Sequence, residues 1–246
     1  MLTKNSEKLI RGLTQRKNRK KTGLFVAEGM KLVREFVSAG ITAHIVYHTS
    51  ELDAVFKNQK TVKISESVMK GISMLDSPSP VLALFQQPKS SLKDFETDSF
   101  ILLLDRIQDP GNMGTLLRTA LWYNVRSVAT TEGTVDAFSP KVVQSSMGAH
   151  AYVNTVQLKE LDWVNWAKKN GYNFVIADMS GESARDFSWP KKTILVLGNE
   201  GQGPSSLLKE MGHAITIPDL SGKMESLNVA ASGATLLYQY AASIDV

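Results

Sequence analysis

The chain contains no cysteine in its 246 residues. That absence removes disulfides, thiolate zinc sites, iron–sulfur clusters and cysteine nucleophiles together, and it suits a cytoplasmic protein. Histidine is sparse too: His44, His48, His150 and His213 are the full set, and they form no ligand-spaced cluster. His44 and His48 stand four apart but flank an expected strand, so no metal is expected. No apolar run approaches the roughly 18 residues of a membrane span, and the amino-terminal residues lack a signal-peptide core, so no membrane partner is expected either. Internal repeats and long low-complexity stretches are also missing.

What is present is an apolar content of 43%, enough to build one large core or two small ones. The net charge of +4 is unevenly spread. Residues 1–21 hold eight bases against the single acid Glu7, a local +7, which leaves −3 for the remaining 225 residues. A basic segment on a faintly acidic body points to a polyanion held by one end of the molecule. A frayed, solvated terminus is the blander alternative. Against it, Leu9, Ile10 and Leu13 recur at helical spacing among the charges, so part of the segment is expected to fold.

Taken in order, Leu24–Gly29 reads as a strand ending at a turn, Lys31–Ala39 as a helix stopped by Gly40, and Ile45–Tyr47 as a strand. A short helix is expected over Glu51–Asn58, a strand at Val62–Ile64, a helix over Glu66–Ile72 capped by Ser65, and an apolar strand at Val81–Phe85. This α/β unit, residues 1–88 with the basic segment, carries no clustered catalytic residues and is expected to bind. Polar residues 89–98 read as a linker. Residues 99–246 then alternate: strand Phe100–Leu104, a turn-rich loop Asp105–Gly114, helix Thr115–Trp122, strand Ser127–Thr131, helix Pro140–Met147, strand Ala151–Val156, helix Leu161–Asn170 and strand Phe174–Ala177. The fold class is α/β, a small α/β domain followed by a parallel sheet flanked by helices. Phe187, Trp189 and Pro190 form an aromatic loop expected to bury itself rather than stack on a ligand.

The unusual residues concentrate after Thr193. Strand Ile194–Leu197 breaks into Gly198-Asn199-Glu200-Gly201-Gln202-Gly203-Pro204-Ser205. A second apolar strand, Ala214–Ile217, breaks into Pro218–Gly222, and Ser226-Leu227-Asn228 leads into an Ala- and Leu-rich helix. Two strand ends with glycine-rich turns and a helix start make a crevice for a small polar ligand at the carboxyl edge of a sheet. The glycines of these turns lack the Gly-x-Gly-x-x-Gly order and place of a dinucleotide fingerprint, and Pro204-Ser205 stand where a phosphate-binding loop needs Lys-Ser/Thr. Ser146 and Ser226 have no evident His–Asp partners for a hydrolase triad.

Three ordered blocks carry a specific resemblance. Asp109-Pro110-Gly111-Asn112-Met113-Gly114 with Arg118-Thr119-Ala120, Leu197 through Gly203, and Ile217-Pro218 with Ser226-Leu227-Asn228-Val229 resemble the motifs of the SpoU (TrmH-type) RNA ribose methyltransferases. Ser139–Lys141 with Ser146–Ala149 looks like the segment between the first two blocks, and Arg16–Val33 looks like the start of the L30e-like RNA-binding domain of many members. The resemblance covers nearly the whole chain. It implies the SPOUT fold, in which Thr193–Ala242 would be tied into a trefoil knot, something periodicity could not have anticipated. It implies S-adenosylmethionine as cofactor, held near Leu197, Gly198, Asn199, Gly203, Ile217, Leu220, Ser226, Leu227 and Asn228. It also implies a homodimer in which Arg118 of one subunit faces the cofactor of the other.

The implied reaction is methyl transfer to a ribose 2′-hydroxyl of structured RNA, with ribosomal RNA favoured by the two-domain layout. Arg118, Asn112, Glu200 and Ser226 are the implied catalytic residues, with Glu200 orienting Arg118 or other polar groups and Asn112 contacting Arg118 or substrate. Ser226 is equally a plain helix N-cap. Candidate RNA contacts are Arg11, Arg16, Lys17, Arg19, Lys20, Lys21, Arg106 and Lys141. Gln144 and Ala230 stand where members often carry Arg and Ser. A transfer-RNA-directed enzyme, or an RNA-binding or ribosome-assembly protein of the same fold without catalysis, are the rival readings.

Overall fold

The amino-terminal bases are helical because their apolar residues share one stripe. Thr3 opens α1 (Lys4–Gly12), its Oγ1 accepting from the Ser6 N–H at 3.1 Å, and Ile10 and Leu13 are fully buried. The structure, a computed structural model, describes residues 2–244. Helix α2 (Arg16–Thr22) stops at Gly23, whose φ of 68° is the left-handed turn that glycine supplies most easily. There follow β1 (Leu24–Glu28), α3 (Met30–Ser38), β2 (Ala43–His48), β3 (Thr61–Lys63), α4 (Glu66–Ile72) and β4 (Val81–Gln86). The strands form a sheet in the order β1-β4-β2-β3, antiparallel except between β2 and β3.

Both faces of this sheet are covered, which is why β1 and β4 read as continuous apolar runs. Phe25, Ala27, Val81, Ala83 and Phe85 point toward Phe36 of α3, and Leu24, Val26, Leu82 and Leu84 toward Ile10, Met69 and Ile72. Ser65 caps α4 as expected, its Oγ accepting from the Val68 N–H. The helix expected over Glu51–Asn58 is reduced to a single 3₁₀ turn, Ala54–Phe56. So short a segment gains too few bonds to offset nucleation.

The second half supplies β5 (Phe100–Leu104), α5 (Pro110–Trp122), β6 (Ser127–Thr131), α6 (Pro140–Ser145), β7 (Asn154–Leu158), α7 (Glu160–Asn170), β8 (Asn173–Ser183), β9 (Thr193–Leu197), α8 (Ser206–Met211), β10 (Gly212–Thr216) and α9 (Val229–Ser243). Six parallel strands run in the order β10-β8-β9-β5-β6-β7. Ile101, Leu103, Ile194 and Val196 pack on Trp163 of α7. On α9, a Cβ at Gly233 would come within 2.4 Å of Leu116 Cδ2 and 2.8 Å of Leu197 Cδ1, so that glycine lets α9 press on α5 and β9. The aromatic loop buries itself: Trp189 packs edge-on against Phe100 and Tyr240. Helix α5 starts five residues before the expected Thr115, because Asp109 accepts from the Asn112 N–H at 2.8 Å and Pro110 occupies the first turn, where it is well tolerated.

The chain folds into two compact units. One runs through Lys89 and takes in Asp136–Tyr152; the other is Ser90–Val135 with the chain from Val153 onward. Within the first unit, Val143 of α6 and Phe138 join the Phe25 core, and Asp136 meets Arg19. Arg19 is 2% exposed; its Nη2 and Nε donate to Asp136 Oδ2 at 2.6 and 3.1 Å, and its Nη1 donates to the carbonyls of Leu13 and Thr14. This corrects the expectation that Arg19 contacts RNA. Its guanidinium ties α2 to the rest of its unit, as burial of a charge requires.

Candidate functional site

The carboxyl ends of β9 and β10 open into a crevice of about 710 Å³, a size common for small-molecule sites. Its back wall is the loop after β9. A Cβ at Gly198 would lie 1.9 Å from the Pro204 nitrogen and 2.2 Å from the Gly203 carbonyl carbon, so only glycine allows this closure. Asn199 and Gly203 exchange backbone hydrogen bonds at 3.2 and 2.9 Å, and Asn199 Oδ1 accepts from the Gly201 and Gln202 N–H groups. The loop is a small closed ring.

A buried carboxylate anchors that ring. Asp105, wholly inaccessible at the end of β5, accepts from Thr131 Oγ1 at 2.7 Å and from the Ser205 N–H at 2.8 Å. Arg106 bonds Asp105 and the Gly203 carbonyl at 3.3 Å, with a left-handed φ of 56° that is costly outside glycine. Arg106, expected as an RNA contact, is therefore engaged inside its own unit. Asp105 was not among the expected site residues. Its signal was its position, an acid directly after an apolar strand.

The catalytic candidates divide. Glu200 Oε1 accepts from Asn112 Nδ2 at 3.0 Å, and its carboxylate also faces the N–H groups of Gln108 and Asp109. Asn112 Oδ1 accepts from Asn228 Nδ2 at 3.1 Å, joining all three motif blocks in one polar chain. Asn228 Oδ1 in turn accepts from the Ala230 and Ala231 N–H groups. Asn228, not Ser226, caps α9, and Ser226 lines the crevice. Arg118 is exposed and has no hydrogen bond or ion pair among the described residues. Glu200 and Asn112 thus orient each other rather than Arg118. The reason is helical: six residues at about 100° each put Arg118 and Asn112 some 120° apart around α5.

Of the expected cofactor residues, Leu197, Gly198, Asn199, Gly203, Ile217, Leu220, Ser226 and Leu227 line the crevice, whereas Asn228 does not and instead caps α9. Asp178, Lys209, Asp219 and Glu225 line it too and were not expected. Lys209 Nζ lies 2.7 Å from Asp178 Oδ2, and that bond is the main reason the Asp178 carboxyl is held down to about 2. Asp219 accepts from both Oγ and N–H of Ser221 at 2.8 Å, which holds its carboxyl below the usual range. In the other unit, Arg11, Arg16, Lys17, Lys20, Lys21 and Lys141 are exposed. Arg11 pairs with Glu7 and donates to the Gly71 carbonyl, and Arg16 approaches Asp136 at 4.0 Å. Among the described residues no helix is long and apolar enough to cross a membrane, and no group of three or more His, Asp or Glu is placed to hold a metal.

Comparison with known proteins fits this geometry. Residues 99–238 match the SpoU rRNA Methylase family, and residues 4–83 match the MRM3-like substrate binding domain. The chain belongs to the SpoU rRNA methylase family. It is 31% identical to the 23S rRNA (guanosine(2553)-2'-O)-methyltransferase RlmP of Bacillus subtilis, over 92% of each chain. It is 29% identical to the mitochondrial rRNA methyltransferase 3 of Mus musculus, over 68% of this chain and 43% of that one. The AdoMet-bound rRNA methyltransferase of Sinorhizobium meliloti superposes with a TM-score of 0.85 at 30% identity, covering 97% of this chain and 95% of that one.

Proposed function

We propose that this protein transfers a methyl group from S-adenosylmethionine to a ribose 2′-hydroxyl of structured RNA, ribosomal RNA above all. The observation that carries the reading is the joining of three separate motif blocks through Glu200, Asn112 and Asn228 beside a crevice closed by Gly198. Such a crevice suits this cofactor: its wall lets backbone approach closely, and its acids outnumber its one base, as a cationic ligand favours. When bound, the sulfonium supplies an electrophilic methyl. Leu197, Gly198, Asn199, Gly203, Ile217, Leu220, Ser226 and Leu227 would hold it. Asn112, fixed on both sides by Glu200 and Asn228, would fix the entry to the crevice.

Arg118 would bind the phosphate beside the target ribose and favour the developing alkoxide. A guanidinium stays protonated below about pH 12, so the proton goes to phosphate, water or a carboxylate rather than to Arg118. Because Arg118 faces away from the polar chain of its own subunit, the reading includes a homodimer in which it serves the partner's crevice. Trp122, 80% exposed on the same face of α5, and Tyr238, 63% exposed on α9, are apolar surface of the kind a subunit contact covers. In this reading residues 1–88 capture RNA in the cytoplasm through Arg11, Arg16, Lys17, Lys20 and Lys21, with Lys141 of the same compact unit, residues 89–98 link, and residues 99–246 other than Asp136–Tyr152 catalyse, with Thr193–Ala242 knotted.

The test is transfer of labelled methyl from S-adenosylmethionine to total RNA, with the product mapped for ribose 2′-O-methyl marks. Arg118→Ala should lose about 10²-fold or more in rate while binding cofactor normally. RNA binding with no transfer by the wild-type protein would favour the non-catalytic reading instead.

A further inference from the structure

Strand β8 leaves the register of its neighbour beside the crevice. Ile176 pairs with Ala214, but the next residue of β10, Ile215, stands opposite Glu182. The chain between, 177–181, bulges out, and Ala177, Asp178 and Met179 become crevice wall. Bulges of this sort re-aim side chains next to functional sites. Asp178 holds the bulge in shape: Oδ1 accepts from the Ser180 N–H at 3.0 Å and from its Oγ at 2.7 Å, while Oδ2 meets Lys209 Nζ on α8. The Asp178 side chain is 15% exposed and that of Lys209 43%, so the pair stands partly dehydrated at the crevice rather than free in solvent.

The charges around this pair are lopsided. Asp178, Glu200, Asp219 and Glu225 line the crevice against Lys209 as the single base. The methyl donor carries a sulfonium and an ammonium against one carboxylate, a net charge of +1. Its demethylated product has a neutral thioether and no net charge. The two ligands otherwise differ by one methyl group, so electrostatics is the main handle by which the wall can tell them apart.

We propose that the Asp178–Lys209 pair is a specificity element of the cofactor crevice, setting the local charge so that the sulfonium donor is held in preference to its spent product. The proposal rests on the crevice being the S-adenosylmethionine site. Its consequence is an opposite response to two substitutions. Asp178→Asn leaves the Lys209 charge uncompensated against a cationic ligand, whereas Lys209→Met leaves the acidic excess larger. A purely structural clamp would weaken both ligands alike.

The experiment is calorimetric titration of the full chain with S-adenosylmethionine and with S-adenosylhomocysteine, in low salt and in high salt. The preference for donor over product should fall on the order of fivefold in Asp178→Asn and rise by a similar factor in Lys209→Met. Lys209→Arg should keep the wild-type preference, and both shifts should shrink as salt screens them. Should Asp178→Asn fail to fold, Lys209→Met decides the matter alone. An unchanged preference in Lys209→Met, or equal weakening of both ligands in each variant, overturns the proposal while leaving the crevice assignment intact. A wild-type protein that binds neither ligand refutes the crevice assignment, and the proposal with it.

Discussion

Arg19 offers the sharpest separation of a structural charge from a binding one. Replacing it with Met keeps the stem and removes the guanidinium, leaving the Asp136 carboxylate and the carbonyls of Leu13 and Thr14 without their donor. Breaking a buried charge pair costs about 3–5 kcal/mol. Asp136 is 18% exposed at its side chain, keeps the Phe138 N–H on Oδ1 and has Arg16 within 4.0 Å, so the lower end applies, about 3 kcal/mol. For a chain of this length that lowers Tm by roughly 6–12 °C. The assay is thermal unfolding followed by circular dichroism, with RNA affinity measured across a salt series on the same samples well below Tm. Lys20→Met is the control: exposed on α2, it should leave Tm within a degree and reduce the salt dependence of RNA binding by about one counterion. The reasoning is refuted if Arg19→Met melts with the wild type and instead flattens the salt slope. A double-mutant cycle with Asp136→Ala should return a coupling of about 2 kcal/mol.

Three further outcomes follow from the same geometry. Gly198→Ala should abolish cofactor binding by calorimetry, because its Cβ has no room beside Pro204 and the loop must open. Asn112→Ala should cut methyl transfer about 100-fold while changing cofactor affinity little, read from the split between kcat and the cofactor KM, since it removes the link between Glu200 and Asn228. His150 is buried with Nε2 donating to the Ala137 carbonyl and Nδ1 accepting from Ser146, and burial lowers its pKa to about 4. Its unfolded form takes a proton near pH 6.5 and its folded form only near 4, so stability is full above pH 6.5 and falls by roughly 3 kcal/mol as pH drops to 4. Urea unfolding at a series of pH values should show that slope, and His150→Gln should flatten it.

The sheet of the second unit was legible because its central strands are buried on both faces, and Phe100–Leu104 and Ile194–Leu197 announce that without any alternation. The start of α5 was not legible. Gly111, Asn112 and Gly114 all weaken a helix, and only the pairing of an Asp cap with Pro at the first turn overrides them. The membership of Asp136–Tyr152 in the first unit was invisible for a different reason. Local pattern makes α6 look like one more helix of the alternation, and nothing local reveals that Val143 packs against Phe25 or that Asp136 answers Arg19. Long-range pairing leaves no period in the sequence.

The site shows the same limit in reverse. Residues constrained by backbone geometry could be read off directly, because Gly198 tolerates no other side chain and its neighbours inherit that constraint. Residues constrained by a partner could not. Glu200 was expected to orient Arg118 or other polar groups, and the partner it has, Asn112, is a motif residue 88 positions earlier. Asp178 and Lys209 carry no motif at all, yet their ion pair shapes a wall of the crevice. Arg118, the arginine whose role the motif implied most strongly, has no hydrogen bond or ion pair among the described residues, while Arg106 and Arg19 are held by carboxylates within their own units. Arg106 and Arg19 could be assigned from their carboxylate partners, whereas Arg118 offers none to read, so its role rests on the motif and on the methyl-transfer test of Arg118→Ala.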